Sequence, residues 1–68
     1  MATYSVREYG SSNYKHTGIP FRTKAIVLAV VESDVSDYPI CIEQWDGDTN
    51  IGIIRLFYRG HDIPLELT

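Results

Sequence analysis

Two short segments rich in β-branched and aromatic residues, separated by a cluster of turn formers, constrain the fold of this chain most. The first segment is 39–45 (PICIEQW) and the second is 51–58 (IGIIRLFY). The five residues between them, DGDTN, are of the types that favour tight turns. This pattern predicts a β-hairpin running from Tyr38 to Tyr58.

Strict alternation along a strand assigns the hairpin side chains to two faces. The residues predicted to face the core are Ile40, Ile42, Ile54 and Leu56. The residues predicted to face away from it are Cys41, Glu43, Trp45, Ile53, Arg55 and Phe57. The second face therefore carries aromatic, apolar and charged groups together.

The segment from Phe21 to Ser33 has two interpretations. As a helix, it places Phe21, Ala25, Leu28, Ala29 and Glu32 on one side, with Ile26, Val27, Val30 and Val31 widening the apolar band. Two observations argue against a helix. Residues 25–31 include four β-branched residues, which have lower helix propensity. Basic residues near the N-terminus of the segment and acidic residues near its C-terminus oppose the helix macrodipole. We favour the helix, because the element is long enough and the paired alanines suit close packing on a sheet.

Further strands flank these elements. Alternation of apolar and polar residues predicts a strand from Tyr4 to Tyr9. Residues 14–20 have no clear period, which predicts a loop. Residues Ile63 to Leu67 alternate again and predict a last strand. Pro64 places that last strand at an edge. The predicted fold is a single α+β domain, 1–68, in the order β-α-β-β-β, with one helix on one face of a small antiparallel sheet. If 21–33 is a strand, the alternative is an all-β, five-stranded, barrel-like domain.

At 68 residues the chain forms one domain whose core supplies only about 3–5 kcal/mol of stability. The single cysteine, Cys41, excludes an intramolecular disulfide and favours a reducing, cytoplasmic location. A chain of this size without a disulfide can gain stability by association, which makes a homodimer plausible. Its longest apolar run, Ala25 to Val31, is too short to span a membrane.

The charges are unevenly spread. Residues 25–54 contain six acidic residues and no Lys or Arg, and the whole chain has a net charge of −3. Direct binding to nucleic acid needs clustered basic residues, so this balance argues against it. An acidic middle segment can instead steer the chain toward a basic protein partner.

No motif indicates catalysis or a cofactor. The alternation of Asp46, Asp48 and Asn50 resembles a calcium loop, but Ile51 stands where an EF-hand needs Gly and Phe57 where it needs a carboxylate. The two histidines and Cys41 have no characteristic spacing to a third group. We therefore expect a protein that is not an enzyme and that has no metal or cofactor.

One helix can cover only one face of the predicted sheet, which leaves the other face to water or to a partner. Exposed aromatic groups and Arg are frequent anchors of protein interfaces. The predicted partner-binding residues are Glu43, Trp45, Asp46, Asp48, Arg55 and Phe57. The alternative function is a small barrel-type module that binds a ligand or nucleic acid.

The chain combines a compact first strand from Tyr4 to Tyr9, a predicted helix from Phe21 to Ser33, a hairpin and an acidic balance. With these features it resembles, at the level of class, the small α+β inhibitors encoded by phages and other mobile elements, including anti-CRISPR proteins. The resemblance implies a chain that occupies a basic or nucleic-acid-binding surface of a larger host complex without enzyme chemistry. It rests on no shared motif, so it assigns no functional residue.

Overall fold

The computed structural model describes residues 1–64, which form one antiparallel sheet and one helix. The elements are β1 (Ala2–Glu8), β2 (Tyr14–Ile19), α1 (Arg22–Val35), β3 (Ile40–Asp46), β4 (Thr49–Tyr58) and β5 (His61–Ile63). The strand order is β2-β1-β3-β4-β5, so β2 and β5 are the edges of an open sheet. The predicted α+β class is confirmed, and the barrel alternative is wrong.

The prediction of a loop at 14–20 is wrong, because residues 14–19 form the edge strand β2. Its pairing with β1 is irregular, with register shifts on both sides of Val6, and Gly18 has a φ of +64°. Such bulges interrupt alternation, and only Ile19 of this strand is fully buried. The sequence therefore lacked a period-two signal here, and the observed order is β-β-α-β-β-β.

The helix α1 confirms the preferred interpretation of 21–33 and extends it to Val35. Its buried residues are Ala25, Ala29 and Ser33, which are four apart and therefore lie on one side. Small side chains at these positions let the helix lie close to the sheet. The predicted apolar band was too wide, because Val27 and Val31 point away from the sheet and are exposed.

The core lies between α1 and one face of the sheet. Its buried members are Val6, Ile19, Ala25, Ala29, Ile40, Ile42 and Phe57. Ile54 packs against this cluster, as predicted, together with Tyr4, Ile26, Leu28 and Val30. Each fully buried large apolar side chain contributes about 1.5–3 kcal/mol, so these few residues supply most of the stability of the chain.

A β-bulge in β4 reverses the predicted faces of its second half. Ile42 pairs with Arg55 and Glu43 pairs with Ile53, so Ile54 is an extra residue opposite β3. One extra residue turns every later side chain to the other face. Arg55 and Phe57 therefore lie on the helix-covered face, and Leu56, which pairs with Cys41, lies on the opposite face. The sequence-based assignment of these three residues was wrong.

Two tight turns complete the sheet. The β3–β4 turn is only Gly47 and Asp48, and Gly47 has the positive φ of +60° that a type II′ hairpin turn requires at its first position. At the β4–β5 turn, Arg59 and Gly60 both have positive φ. The amide of Gly60 donates to Ser33 Oγ at 3.0 Å, which ties this turn to the last part of α1.

The predicted last strand is only partly within the described residues. β5 begins at His61, earlier than predicted, and the predicted positions 65–67 lie outside the residues that the structure describes. β5 borders β4 and forms an edge of the sheet, as predicted for a strand next to Pro64. Within residues 1–64, no helix is both long and apolar enough to cross a membrane.

Candidate protein-binding face

The face of the sheet opposite α1, called the open face below, is organised around one buried carboxylate. Glu43, in the middle of β3, is only 4% exposed although no helix covers it. Its pairing partners Ser5 on β1 and Ile53 on β4 lie on the same face. The carboxylate is covered by long side chains of the sheet itself.

Four side chains donate hydrogen bonds to this carboxylate. Arg7 Nε lies 3.0 Å from Oε1, and Arg7 Nη2 lies 3.3 Å from Oε2. Tyr14 Oη donates to Oε1 at 2.8 Å, and Asn50 Nδ2 donates to Oε2 at 2.7 Å. Ser5 Oγ donates to Oε1 at 3.4 Å. The donors come from β1, β2 and β4, so the network joins four strands including β3.

The network keeps Glu43 ionised. Burial by itself raises the pKa of this carboxyl group, but hydrogen bonds from Arg7, Asn50 and Tyr14 outweigh burial and lower the pKa to about 2. The same contact raises the pKa of Tyr14, because its hydroxyl proton is held by a carboxylate. A carboxylate this acidic is a poor proton acceptor near neutral pH, which suits structural support rather than general base catalysis.

Trp45 is attached to the same network at its polar end. Its Nε1 donates to Ser5 Oγ at 2.9 Å, and Ser5 in turn donates to Glu43. The indole is half-buried and lies on the open face, where the alternation of β3 predicted it. A hydrogen-bonded Trp of this kind presents a rigid aromatic surface, since its ring cannot rotate without breaking that bond.

Two neighbouring cavities open onto this face. A cavity of about 380 Å³ lies between the side chains of Trp45 and Tyr14. Its other lining residues are Thr3, Ser5, Thr17, Gly18 and Gly47. A second, shallower cavity of about 560 Å³ lies on the other side of Tyr14, over Arg7 and the turn after β1. Tyr14 lines both cavities and separates the one beside Trp45 from the one over Arg7.

The acidic turn adjoins the Trp45 cavity. Asp46 ends β3, Gly47 lines the cavity, and Asp48 follows it, with both carboxylates exposed. The amino terminus lies 3.6 Å from Asp46, in a contact exposed on both sides. Such an exposed ion pair contributes little, so the turn presents negative charge to solvent.

Arg55 and Phe57 do not belong to this face. Phe57 is 3% exposed and lies in the core, paired with Ile40. Arg55 forms an ion pair with Asp62 at 3.1 Å, and its guanidinium lies 5.9 Å from the centre of the Phe57 ring. Of the six predicted partner-binding residues, the structure brings together Glu43, Trp45, Asp46 and Asp48 and separates the other two from them.

Sequence reasoning missed the residues that hold the site together. Arg7, Tyr14 and Asn50 surround Glu43, and none of them was a predicted site residue. Tyr14 was missed because β2 was predicted to be a loop. Arg7 could have been found from the sequence, because alternation along β1 puts Arg7 and Val6 on different faces of the sheet, and Val6 is the residue suited to the core.

Two further reactive side chains, Cys41 and His16, lie on opposite faces of the sheet. Cys41 is fully buried on the open face, and burial raises the pKa of its thiol. His16 contacts Glu32 of α1 at 3.2 Å, on the other face of the sheet. Asn50, the third residue of the calcium-like pattern, is bonded to Glu43 and to the amide of Gly52. Among residues 1–64, no group of three or more His, Cys, Asp or Glu side chains could hold a metal ion.

Comparison with protein-family models, with curated proteins and with solved structures found no significant match to this chain.

Proposed function

We propose that this chain is a non-enzymatic protein-binding module that docks onto a basic surface of a larger protein through Trp45, Tyr14 and the acidic turn. The observation that supports the proposal is the aromatic cavity on the open face and its position beside Asp46 and Asp48. Apolar aromatic surface with negative charge at its edge is complementary to Arg and Lys side chains.

The buried network prepares this surface for binding. Trp45 is held through Ser5, and Tyr14 is held through Glu43, so both rings are fixed before a partner arrives. Side chains that are already ordered lose little conformational entropy on binding. Glu43, predicted from the sequence to contact the partner, acts in this proposal as the support of the contacting rings.

Electrostatics favour a basic partner. The segment 25–54 contains no Lys or Arg, and the exposed carboxylates of Asp46 and Asp48 lie at its surface. Long-range attraction increases the association rate with a positively charged surface and weakens as salt is added. An Arg side chain of the partner can stack on Trp45 while its guanidinium contacts the turn.

A chain that covers a basic surface excludes nucleic acid from it. This consequence agrees with the class-level resemblance of the sequence to phage-encoded inhibitors such as anti-CRISPR proteins. We therefore include inhibition by occupancy in the proposal. The expected behaviour is competition between this chain and nucleic acid for one site on the partner, with no chemical change in either.

The proposal can be tested first with a defined probe. Amide and indole NMR signals of the ¹⁵N-labelled chain are followed while a short arginine-rich peptide is added. We expect shifts at the Trp45 indole, at Thr17 and Gly18 and at Gly47, and no shifts with a glutamate-rich peptide of the same length. Shifts confined to the helix, or equal shifts with both peptides, would contradict the proposed surface.

Variants then separate aromatic from electrostatic contributions. Trp45→Ala and Asp46→Lys/Asp48→Lys are each expected to weaken binding of the arginine-rich peptide at least tenfold. Asp37→Lys/Asp62→Lys makes the same change in net charge at exposed positions outside the open face and serves as the matched control. Equal weakening by the control would show that only net charge matters, which is incompatible with a specific face.

Capture from a bacterial lysate identifies the natural partner. A protein retained by the wild-type chain and by the charge-matched control, but lost with both open-face variants, is the expected result. Purified partner is then titrated with nucleic acid, which should displace the chain. A partner that holds the chain and nucleic acid at the same time would contradict inhibition by occupancy.

A further inference from the structure

The outward side of α1 carries an exposed apolar stripe that nothing in the described chain covers. Val27, Val31 and Val35 are 57%, 58% and 82% exposed. They are four residues apart, so they lie on one side of the helix, opposite the buried Ala25 and Ala29. Three successive turns of α1 therefore show a valine to solvent.

These valines do not stabilise α1 as an isolated helix. A β-branched residue has lower helix propensity than Ala, Leu, Lys or Glu, because its side chain loses rotamer freedom against the preceding turn. At an exposed position, burial does not compensate for that loss. The stripe is thus unfavourable in a free monomer and favourable only when another surface covers it.

Two opposite charges lie on the same side as the stripe. Lys24 precedes Val27 by three residues and Asp34 follows Val31 by three residues, and both side chains are exposed. The spacing of 24, 27, 31 and 34 alternates between three and four residues, as in helices that pair along one seam. The positions of these charges matter because basic residues near a helix N-terminus and acidic residues near its C-terminus oppose the macrodipole. α1 has no acidic residue in its first turn and no basic residue in its last.

We propose that the stripe binds the same stripe of a second copy of this chain, with the two helices antiparallel about a two-fold axis near Ala29. Lys24 and Asp34 lie at equal sequence separations from Ala29, and so do Val27 and Val31. An antiparallel pair therefore places Val27 of each copy against Val31 of the other and Lys24 of each copy against Asp34 of the other. The stripe is self-complementary, which is the condition for a two-fold interface.

This arrangement removes each unfavourable feature of the lone helix. The valines become buried, each misplaced charge gains an opposite charge, and the two macrodipoles run in opposite directions. A pair of short helices buries less than the roughly 1,200–2,000 Å² typical of stable complexes, so the dimer is weak, with dissociation at micromolar or higher concentration. The open faces point away from the two-fold axis, which leaves Trp45 free in both copies and gives a bivalent binder.

Sedimentation equilibrium over a wide concentration range tests the proposal. The wild-type chain is expected to change from monomer to dimer as concentration rises. Lys24→Glu and Asp34→Lys should each raise the dissociation constant at least tenfold, because each places two like charges opposite one another twice. Lys15→Glu on β2 and Asp48→Lys in the β3–β4 turn make the same changes in net charge elsewhere and should leave dimerisation unchanged.

Mixing the two charge variants provides the decisive measurement. In a heterodimer of Lys24→Glu with Asp34→Lys, both charge pairs are again attractive, so the mixture should dimerise at least as well as the wild type although neither variant does so alone. Val31→Ser should weaken the dimer without this rescue, and Trp45→Ala should leave it intact. Circular dichroism confirms that each variant retains the fold.

Three results would overturn the proposal. The wild-type chain could stay monomeric at the highest concentration reached, the mixture of charge variants could fail to dimerise, or Trp45→Ala could abolish a dimer that Val31→Ser preserves. The last result would place the contact on the open face instead. The first two results do not bear on whether the open face binds a basic peptide, because that experiment uses a different surface.

Discussion

The helix-covered face and the open face of the sheet both contain side chains with almost no exposed surface, but the side chains differ in kind. On the first face, Ile40, Ile42 and Phe57 are buried by the helix. On the second, Ser5 and Glu43 are buried by long side chains from neighbouring strands. The apolar face is stabilised by non-directional packing, whereas the open face depends on particular donors and acceptors.

The two faces of this very small domain therefore have different roles. The apolar face provides stability, because one helix and one sheet face give the only continuous apolar core of the described residues. The polar network stabilises less per residue, since hydrogen bonds within the protein replace hydrogen bonds to water. Its particular effect is to hold Trp45 and Tyr14 in fixed positions on an uncovered surface. The side chains that position the rings thus lie on the face opposite the apolar core.

The largest expected effect is on the apolar face. Phe57→Ala removes a buried ring and should reduce the free energy of unfolding by about 3–5 kcal/mol, which is close to the entire stability of a domain this small. Urea unfolding followed by far-UV circular dichroism measures the change. Tyr58→Ala, at the exposed neighbouring position, should cost about 1 kcal/mol or less. Similar costs for the two substitutions would mean that the bulge does not turn Phe57 into the core.

The next effect is on the open face. Glu43→Gln removes the negative charge opposite Arg7 and should reduce the free energy of unfolding by about 2–3 kcal/mol. The cost stays below that of Phe57→Ala because the Arg7 guanidinium also donates to the backbone carbonyls of Glu8 and Ser11.

A double-mutant cycle shows whether Arg7 and Glu43 act as one unit. Arg7→Met/Glu43→Gln should cost less than the two single substitutions together, with a coupling energy of about 1–3 kcal/mol. A second measurement uses the buried thiol of Cys41, which lies between Arg7 and Leu56. Its reaction with a thiol reagent should be faster in Glu43→Gln than in the wild type. Additive energies with an unchanged labelling rate would show that the network does not cover this face.

The two faces should also differ in their response to acid. The folded-state pKa of Glu43, about 2, lies below its ordinary value of 4.5. The unfolded chain therefore takes up a proton first as pH falls. The stabilisation from this group, roughly 2–3 kcal/mol, is complete above about pH 4.5 and is lost as pH falls toward 2.

Unfolding at a series of pH values measures this contribution. The difference in stability between wild type and Glu43→Gln should shrink steadily between pH 5 and 2. An apolar substitution such as Ile42→Val should cost a constant amount, about 0.5–1.5 kcal/mol, across the same range. A difference for Glu43→Gln that stays constant with pH would refute the lowered pKa.

The smallest expected effect concerns the outer end of the network. Trp45→Phe keeps an aromatic ring but removes the Nε1 donor to Ser5, and should cost about 0.5–1.5 kcal/mol. It should nevertheless weaken binding of the arginine-rich peptide, because the ring is no longer fixed. Urea unfolding and NMR titration of the same sample compare the two effects. Unchanged peptide affinity would show that ring orientation does not matter for binding.

Much of the fold could be predicted from local patterns. The hairpin, the first strand and the helix from Phe21 onward were predicted, because turn formers and apolar runs act over a few residues. β2 could not be, since its residues are polar and its irregular pairing with β1 conceals alternation. For α1 the error was the reverse, because apolar valines that were predicted to face the sheet are exposed. Apolar character alone does not show which side of a helix meets the sheet.

The candidate site was predicted in part. Trp45 and the acidic turn follow from the alternation and turn signals of the hairpin, and the structure places them together. Arg55 and Phe57 were assigned to the wrong face because a single extra residue, Ile54, shifts the phase of β4. A bulge depends on how two strands pair, and the residue types around Ile54 do not indicate one there.

The sequence by itself determined that this is a small acidic α+β chain with a hairpin, a helix, one thiol and an acidic central segment. Only the tertiary structure showed that Glu43 is buried and accepts hydrogen bonds from several side chains. Its donors Arg7, Tyr14 and Asn50 come from three other strands and meet only when the sheet assembles. Turns and local periodicity are properties of neighbouring residues, whereas the environment of a side chain is set by residues distant in sequence.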